Sequence, residues 1–551
     1  MIIRLPRLRT AAAVPARIFD RPPPSTPPWS LTAAAILVAA GVLLPLGYLV
    51  LRASQARADV WDFLLRPRTI DVLVNTIVLA VAVGLTAAAI AIPAAWLTVR
   101  TDVPLGRWLA PMCALPLVIP SYVGALTFIA VLGPRGYFSD WWSGSAGISW
   151  FPDIYGFTGA WLVLSLFTFP YVFLTVSGAL RGIDPVHEEA ARSLGKGPLG
   201  AFASTTLRQL RPAAISGMLL AALYTVSDFG VVTLFRYDSL TRAIYVQYGA
   251  SFDRSYAAVL SLVLVTFAVL LLAVESQWRD RAAYYRVGAG VARKRKIVEL
   301  GWKRFPAFLG LATILSLALM LPIGMLLYWL ARAVNRGDDF SGLAGSSVNS
   351  LLLGGSAGIL AAMCALPVAV LATRYRSRLG RLVERMTYLG YGLPGIVIAL
   401  SFVFLGANYA PRLYQTVPLL LFAYVVRFVP QAVGSTRSSL LQINPRLEDA
   451  ARGLGRSWRG TLWSITVPLA IPGIMTGATL VFLTVVKELP ITLLMRPTGM
   501  NTLATDVWTA AGDFAYGRAA APALLLIMMS AIPTMLVLGR VRDVSVRGEG
   551  S

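Results

Sequence analysis

The chain has 551 residues, 57% apolar and 14% charged, with a mean hydropathy of +0.68 and a net charge of +23. Such a composition excludes an ordinary water-soluble globule, because the apolar residues gather into about twelve runs, each near or above the roughly 20 residues that cross a bilayer. The charge suggests nucleic-acid binding only until its placement is examined, since it lies in segments between the apolar runs.

In chain order the expected spans are 31–52, 72–99, 108–132, 159–180, 213–236, 255–275, 306–331, 347–373, 386–406, 415–436, 469–495 and 518–540. Barrel strands would be shorter and would alternate, so these are helices. The expected fold is an all-α polytopic membrane protein of two homologous six-helix halves. A basic tail, 1–30, carries Arg4, Arg7, Arg9, Arg17 and Arg21. The first half follows at 31–275, then a linker at 276–304 with nine Lys/Arg against two acids, then the second half at 305–540 and a tail at 541–551. Segment 374–385 holds five Arg and one Glu, whereas 133–157 holds only Arg135 against Asp140 and Asp153. Positive residues mark cytoplasmic loops, which places both termini and the linker inside. Basicity here reports topology, and no nucleic-acid partner is expected; the Arg293-Lys294-Arg295-Lys296 cluster suits anionic headgroups of the lipid bilayer. The first run is too long for the apolar core of a cleaved signal sequence and has a counterpart at 306–331, so it is expected to stay as an anchor.

The halves repeat one another. Asn75-Thr76 matches Asn349-Ser350 at a spacing of 274 (349 − 75), as do Pro93 and Pro367, Arg100 and Arg374, and Pro120 and Pro394. Beyond that the spacing is 260 (430 − 170), pairing Pro170 with Pro430, Asp184-Pro185 with Asn444-Pro445, and Asp228 with Glu488. The 14-residue difference (274 − 260) fits inside the loop 133–157, whose Trp141, Trp142 and Trp150 suit the membrane interface. An even number of spans per half gives both halves the same orientation, with a pathway between them.

The most telling repeat is Glu189-Ala190-Ala191-Arg192-Ser193-Leu194-Gly195 against Asp449-Ala450-Ala451-Arg452-Gly453-Leu454-Gly455, within inward loops at about 184–212 and 444–472. Asp184-Pro185 is a helix-start signal, and acids at 188 and 189 suit a first turn. Two alanines add almost no bulk, and the glycine permits a sharp end. Each loop thus offers a short helix able to seat in a groove of another protein, its carboxylate facing a basic group there.

These segments resemble the permease subunits of binding-protein-dependent ABC importers. That family carries Glu-Ala-Ala, three residues, Gly, nine residues, Ile, one residue, Leu-Pro. The second copy follows it with Asp449, Ala450, Ala451, Gly455, Ile465, Val467 and Pro468, whereas the first keeps Glu189, Ala190, Ala191 and Gly195 but has Thr205, Leu207 and Arg208 at the trailing positions. The resemblance implies the type I importer permease fold and makes each loop a coupling helix docked on an ATP-binding subunit, an expected dimer. It also implies an extracytoplasmic solute-binding protein and a bacterial inner-membrane location. The chain holds no G-x-x-x-x-G-K-[S/T] loop, Gly195-Lys196-Gly197 not being one, and no catalytic or metal-binding constellation. It is therefore not expected to be an enzyme or to hold a cofactor, ATP being used by the partner subunit. His187 reads as a loop residue, and Cys113 and Cys364 as buried thiols.

A narrower resemblance, to fused ferric-iron permeases, rests on Ser227-Asp228-Phe229-Gly230-Val231-Val232 with Arg236-Tyr237-Asp238, on the run from Lys487-Glu488 to Arg496-Pro497, and on Asn501 to Thr505. Thiamine, polyamine, sulfate and phosphonate importers remain alternatives, as does an ion-gradient-driven secondary transporter. Asp228 and Glu488 fall near the end of the fifth span of each half. Carboxylates at membrane depth usually face a cavity or a partner, and Fe³⁺ prefers oxygen ligands, so both are pathway candidates; the bland reading has Glu488 paired with Lys487 or a helix end.

Overall fold

A bilayer leaves backbone groups no partner but one another, so each apolar run closes its hydrogen bonds within a helix. In the computed structural model, residues 27–55, 60–134, 136–137, 153–183, 186–250, 255–284, 297–375 and 377–547 are described. Tail residues 1–26, Trp141, Trp142, Trp150, Asp184-Pro185 and the cluster 293–296 lie outside the described residues.

The first half contains α1 (Trp29–Ser54), α2 (Pro67–Arg100), α3 (Ser121–Leu132), α4 (Phe157–Gly182), the short α5 (Val186–Ser193), α6 (Leu207–Ser227), α7 (Gly230–Leu234), α8 (Leu240–Ala250) and α9 (Ser255–Tyr284). The second half repeats this as α10 (Gly301–Arg336), α11 (Leu343–Arg374), α12 (Gly395–Tyr409), α13 (Val417–Gln442), α14 (Pro445–Gly453), α15 (Val467–Val486), α16 (Pro490–Met495), α17 (Leu503–Gly512) and α18 (Tyr516–Arg547). Among the described residues, ten helices are long and apolar enough to cross a membrane, and twelve spans result if each of two bent pairs counts as one.

Those bent pairs correct the expectation of continuous third spans at 108–132 and 386–406. The segments Gly106–Val118 and Ser121–Leu132 meet at 95°, and Arg378–Gly392 and Gly395–Tyr409 at 101°. Pro120 and Pro394 stand at the bends. Each follows a short 3-10 turn, Leu115–Val118 or Leu389–Gly392, and an extended residue, Ile119 or Leu393, as the residue before proline prefers. The fifth spans also end earlier than expected, at Ser227 and Val486, before Asp228 and Lys487-Glu488.

Helix α2 shows how the spans pack. Val74, Val78, Val81 and Leu85 are exposed where lipid would lie, while Ala87, Ala91, Ala94 and Ala95 are buried against protein. Small residues let backbones approach where no water is available to drive association. Its counterpart α11 buries Gly354, Ala357, Gly358 and Ala361 in the same way. Within each half, α2 packs on α4 and α6, and α11 on α13 and α15. Each first helix packs on the last helix of its own half and also reaches the other half: α1 lies against α9 and against α11 and α12, and α10 against α18 and against α3. The first run is thus a structural span that helps cover the second half.

The repeated Asn75-Thr76 and Asn349-Ser350 pairs do one job twice. The Leu240 N–H donates to Thr76 Oγ1 at 2.9 Å, and the Leu503 N–H to Ser350 Oγ at 3.0 Å. Asn75 and Asn349 donate to the carbonyls of Asp238 and Asn501. Each pair ties the start of α8 or α17 to the second span. Cys113 and Cys364 are free thiols, buried and half-buried respectively. The linker ends in a single bridge between Val298 and Thr101, where the Val298 N–H donates to the Arg100 carbonyl at 2.8 Å.

Candidate functional site

With each bent pair counted as one crossing, helices α5 and α14 follow four and ten crossings and so fall on one side of the membrane. Their ends are alike atom for atom. The Gly195 N–H donates to the Arg192 carbonyl at 2.9 Å and the Lys196 N–H to the Ala191 carbonyl at 3.2 Å; Gly455 and Arg456 do the same to Arg452 and Ala451 at 3.0 and 3.1 Å. This pair of bonds is the Schellman motif, which needs a left-handed residue after the helix. Gly195 and Gly455 supply it with φ of +84° and +86°, a region that costs a residue with a Cβ roughly 1–2 kcal/mol.

The motif turns the preceding leucine outward. Leu194 is 83% and Leu454 87% exposed, on the same loops where Glu189, Ala190, Asp449 and Ala450 are exposed while Ala191 and Ala451 are buried. A large apolar side chain is thus exposed twice, at matched positions beside the repeated glycines. Sequence reasoning passed over both leucines; their signal is that each immediately precedes the repeated glycine.

Each helix is anchored below. In the second copy the Asn444 side chain accepts from the Arg446 N–H at 3.1 Å and caps α14, with Pro445 in its first turn. Glu448 is buried. Its Oε1 accepts from Arg374 Nε at 2.8 Å and from Thr466 Oγ1 at 3.1 Å, fastening α14 to the end of α11 and the start of the fifth span. Arg452 pairs with Glu448 and Asp449 at 3.6 and 3.9 Å. In the first copy Arg100 Nη2 donates to the Ile183 carbonyl at 3.1 Å, at the approach to α5. The repeated arginines thus brace the loops, a role the repeat itself hinted at.

The trailing positions diverge in sequence and agree in backbone. A five-residue π turn, Phe202–Thr206 or Leu462–Thr466, precedes α6 and α15. Ile465 lies half-buried in the second turn and Pro468 sits exposed as the second residue of α15. Thr205, Leu207 and Arg208 occupy the same places in the first copy without altering the turn.

Asp228 and Glu488 lie at the breaks of the fifth spans, 8% and 7% exposed. The Val231 N–H donates to Asp228 Oδ1 at 2.8 Å, and the Ile491 N–H to Glu488 Oε1 at 3.3 Å, so each acid caps the helix that restarts beyond the break. Asp228 Oδ2 also accepts from Ser121 Oγ at 2.6 Å, joining this break to that of the third span. Glu488 Oε1 accepts from Arg427 Nη1 of α13 at 2.7 Å. Its ionic partner is thus Arg427; Lys487 turns away and donates to the Leu117 carbonyl at 2.8 Å. Tyr122, next to Ser121, has a buried hydroxyl without a partner among the described residues and lies within electrostatic reach of Glu488.

At the end opposite α5 and α14, a cavity of about 540 Å³ opens beside Tyr137, Trp329, Arg332 and Phe514. Of the charges that line it, Arg336 pairs with Asp338 and Arg518 with the neighbouring Asp513, both at 3.4 Å.

Twinned helix bundles with matched loop helices and a polar seam at paired span breaks define a transport permease. The chain belongs to the family of binding-protein-dependent transport system inner membrane components, whose pattern it matches at residues 80–277 and again at 356–543. It is similar to the Fe(3+)-transport system permease protein FbpB 2 of Haemophilus influenzae, with 34% identity over 518 residues, or 93% of this chain and 99% of that protein. It is also similar to the ferric transport system permease protein FbpB of Actinobacillus pleuropneumoniae (25% identity over 76% of this chain and 64% of that one). One half resembles the sulfate transport system permease protein CysT of Salmonella typhimurium, 26% identical over 44% of this chain and 88% of that one. The chain is accordingly a multi-pass inner-membrane transport component built as a fused pair of permease domains.

Proposed function

We propose that this chain is the translocating subunit of an ATP-driven importer of ferric iron delivered by an extracytoplasmic binding protein. The observation that carries the importer mechanism is the doubled loop helix. α5 and α14 each present an exposed acid, an exposed leucine and a glycine-set bend on one side of the membrane, so one polypeptide offers two seats to a dimeric ATP-binding subunit. That side is the cytoplasm, with both termini inside, by the distribution of Lys and Arg. ATP hydrolysis resides in the partner; the contribution of this chain is to convert motion at α5 and α14 into movement of the spans they are braced to. Glu448, held between α11 and the fifth span, is the mechanical link in the second half.

The similarity to FbpB 2 along nearly the whole chain supports ferric iron as cargo. Hard oxygen donors suit Fe³⁺, and Asp228, Glu488 and the Tyr122 hydroxyl offer them at the breaks; among the described residues no three-ligand cluster that would trap an ion is found. The test is uptake of radiolabelled ferric iron by proteoliposomes containing the chain, its ATP-binding subunit and its binding protein. ATP-dependent iron accumulation is expected; accumulation of thiamine, a polyamine, sulfate or a phosphonate without iron would overturn the cargo and keep the class.

A further inference from the structure

We infer that Lys487 is a positioning residue that holds the two permease halves in register by capping a backbone carbonyl of the opposite half. The argument begins with proline chemistry. The 3-10 turn Leu115–Val118 ends just before Pro120. In such a turn the carbonyl of residue i accepts from the N–H of residue i+3, and for Leu117 that residue is Pro120, which has none. The bend of the third span therefore leaves the Leu117 carbonyl without its local donor, at a depth where water is scarce and an unmet carbonyl is costly. Lys487 fills the gap, its Nζ donating to Leu117 O at 2.8 Å across 370 residues of chain. The ammonium comes from the break of the fifth span in the second half, and the carbonyl from the break of the third span in the first. One bond thus joins the two discontinuities.

The pseudo-symmetric position sharpens the assignment. By the repeat spacings, Leu117 corresponds to Tyr391 (117 + 274) and Lys487 to Ser227 (487 − 260). Pro394 deprives the Tyr391 carbonyl of a local donor in the same way, but the short Ser227 side chain has none of a lysine's reach. The register bond is therefore one-sided. A charged donor on a flexible stem is suited to releasing and recovering a carbonyl as the halves move, whereas the neighbouring Glu488–Arg427 pair stays within its own half.

This inference rests on the permease reading but not on the cargo or the ATP-binding partner, and its first test needs neither. Spin labels at Tyr137 and Phe514, exposed on opposite halves, would report the distance between them in the full chain in lipid nanodiscs, with Cys113 and Cys364 replaced by serine. Lys487→Met, which keeps length and loses the donor, is expected to broaden or shift the distance distribution, and Lys487→Arg to restore it. In the assembled transporter, Lys487→Met is expected to raise ATP hydrolysis without binding protein by about tenfold, the scale of one charged hydrogen bond favouring a resting arrangement. A Lys487→Met distribution superimposable on the wild type would overturn the inference. So would equal broadening in the Met and Arg variants, which would assign the effect to packing. Either failure leaves ATP-dependent uptake by the wild-type chain, and hence the proposed function, untouched.

Discussion

At the residue scale, two acids one position apart in α14 do different work, and only their surroundings tell them apart. Glu448 is buried against Arg374 and Thr466, while Asp449 is exposed. Removing one member of a buried pair strands the other charge, at a cost of about 3–5 kcal/mol, whereas trimming an exposed acid leaves stability within roughly 0.5 kcal/mol. Glu448→Ala is therefore expected to lower the melting temperature of the purified chain. Asp449→Ala is expected to leave it unchanged while weakening retention of the ATP-binding subunit in a pull-down. Equal melting behaviour of the two variants would contradict this division. The motif residues themselves were legible from the sequence, because helix, alanines and glycine follow from local chemistry. Glu448 and the two leucines were not, because burial against a residue 74 positions away and exposure in a matched loop are tertiary properties.

At the element scale, the apolar runs foretold the helices but not their breaks. Pro93, Pro170, Pro367 and Pro430 lie inside continuous helices, whereas Pro120 and Pro394 end a 3-10 turn at a bend. A proline in an apolar run reads the same in both cases. The difference is made by groups from other spans that meet the freed backbone and the neighbouring side chains: Ser121 with Asp228, Arg427 with Glu488, and Lys487 with Leu117. The acids at the fifth-span breaks were visible as charges out of place, but their partners were not. Replacing both acids with their amides, Asp228→Asn and Glu488→Gln, keeps most capping geometry while removing two charges from the seam. Uptake is expected to be abolished with the ATP-binding subunit still bound. Normal uptake by the double variant would remove both residues from the pathway.

At the scale of the whole molecule, duplication explains more than any single motif. The internal repeat, read from matched Asn, Pro, Arg and acidic positions, implied two homologous halves, and the family pattern is found twice. The reach of α1 and α10 across to the other half was hidden, since it depends on which apolar faces meet. Under the proposed function, the two ATP-binding subunits would act on halves that touch through α1 and α10. The diverged tail at Thr205, Leu207 and Arg208 does not alter the first π turn, so both seats keep the same backbone. The most direct measurement of the central claim is photo-crosslinking from Leu194 and from Leu454, each replaced singly by a photoreactive residue, in membranes containing the ATP-binding subunit, with Phe514 at the opposite end as control. The account predicts capture of the ATP-binding subunit from both leucine positions and none from Phe514. Capture from only one leucine, or from neither while ATP-driven uptake persists, would contradict it.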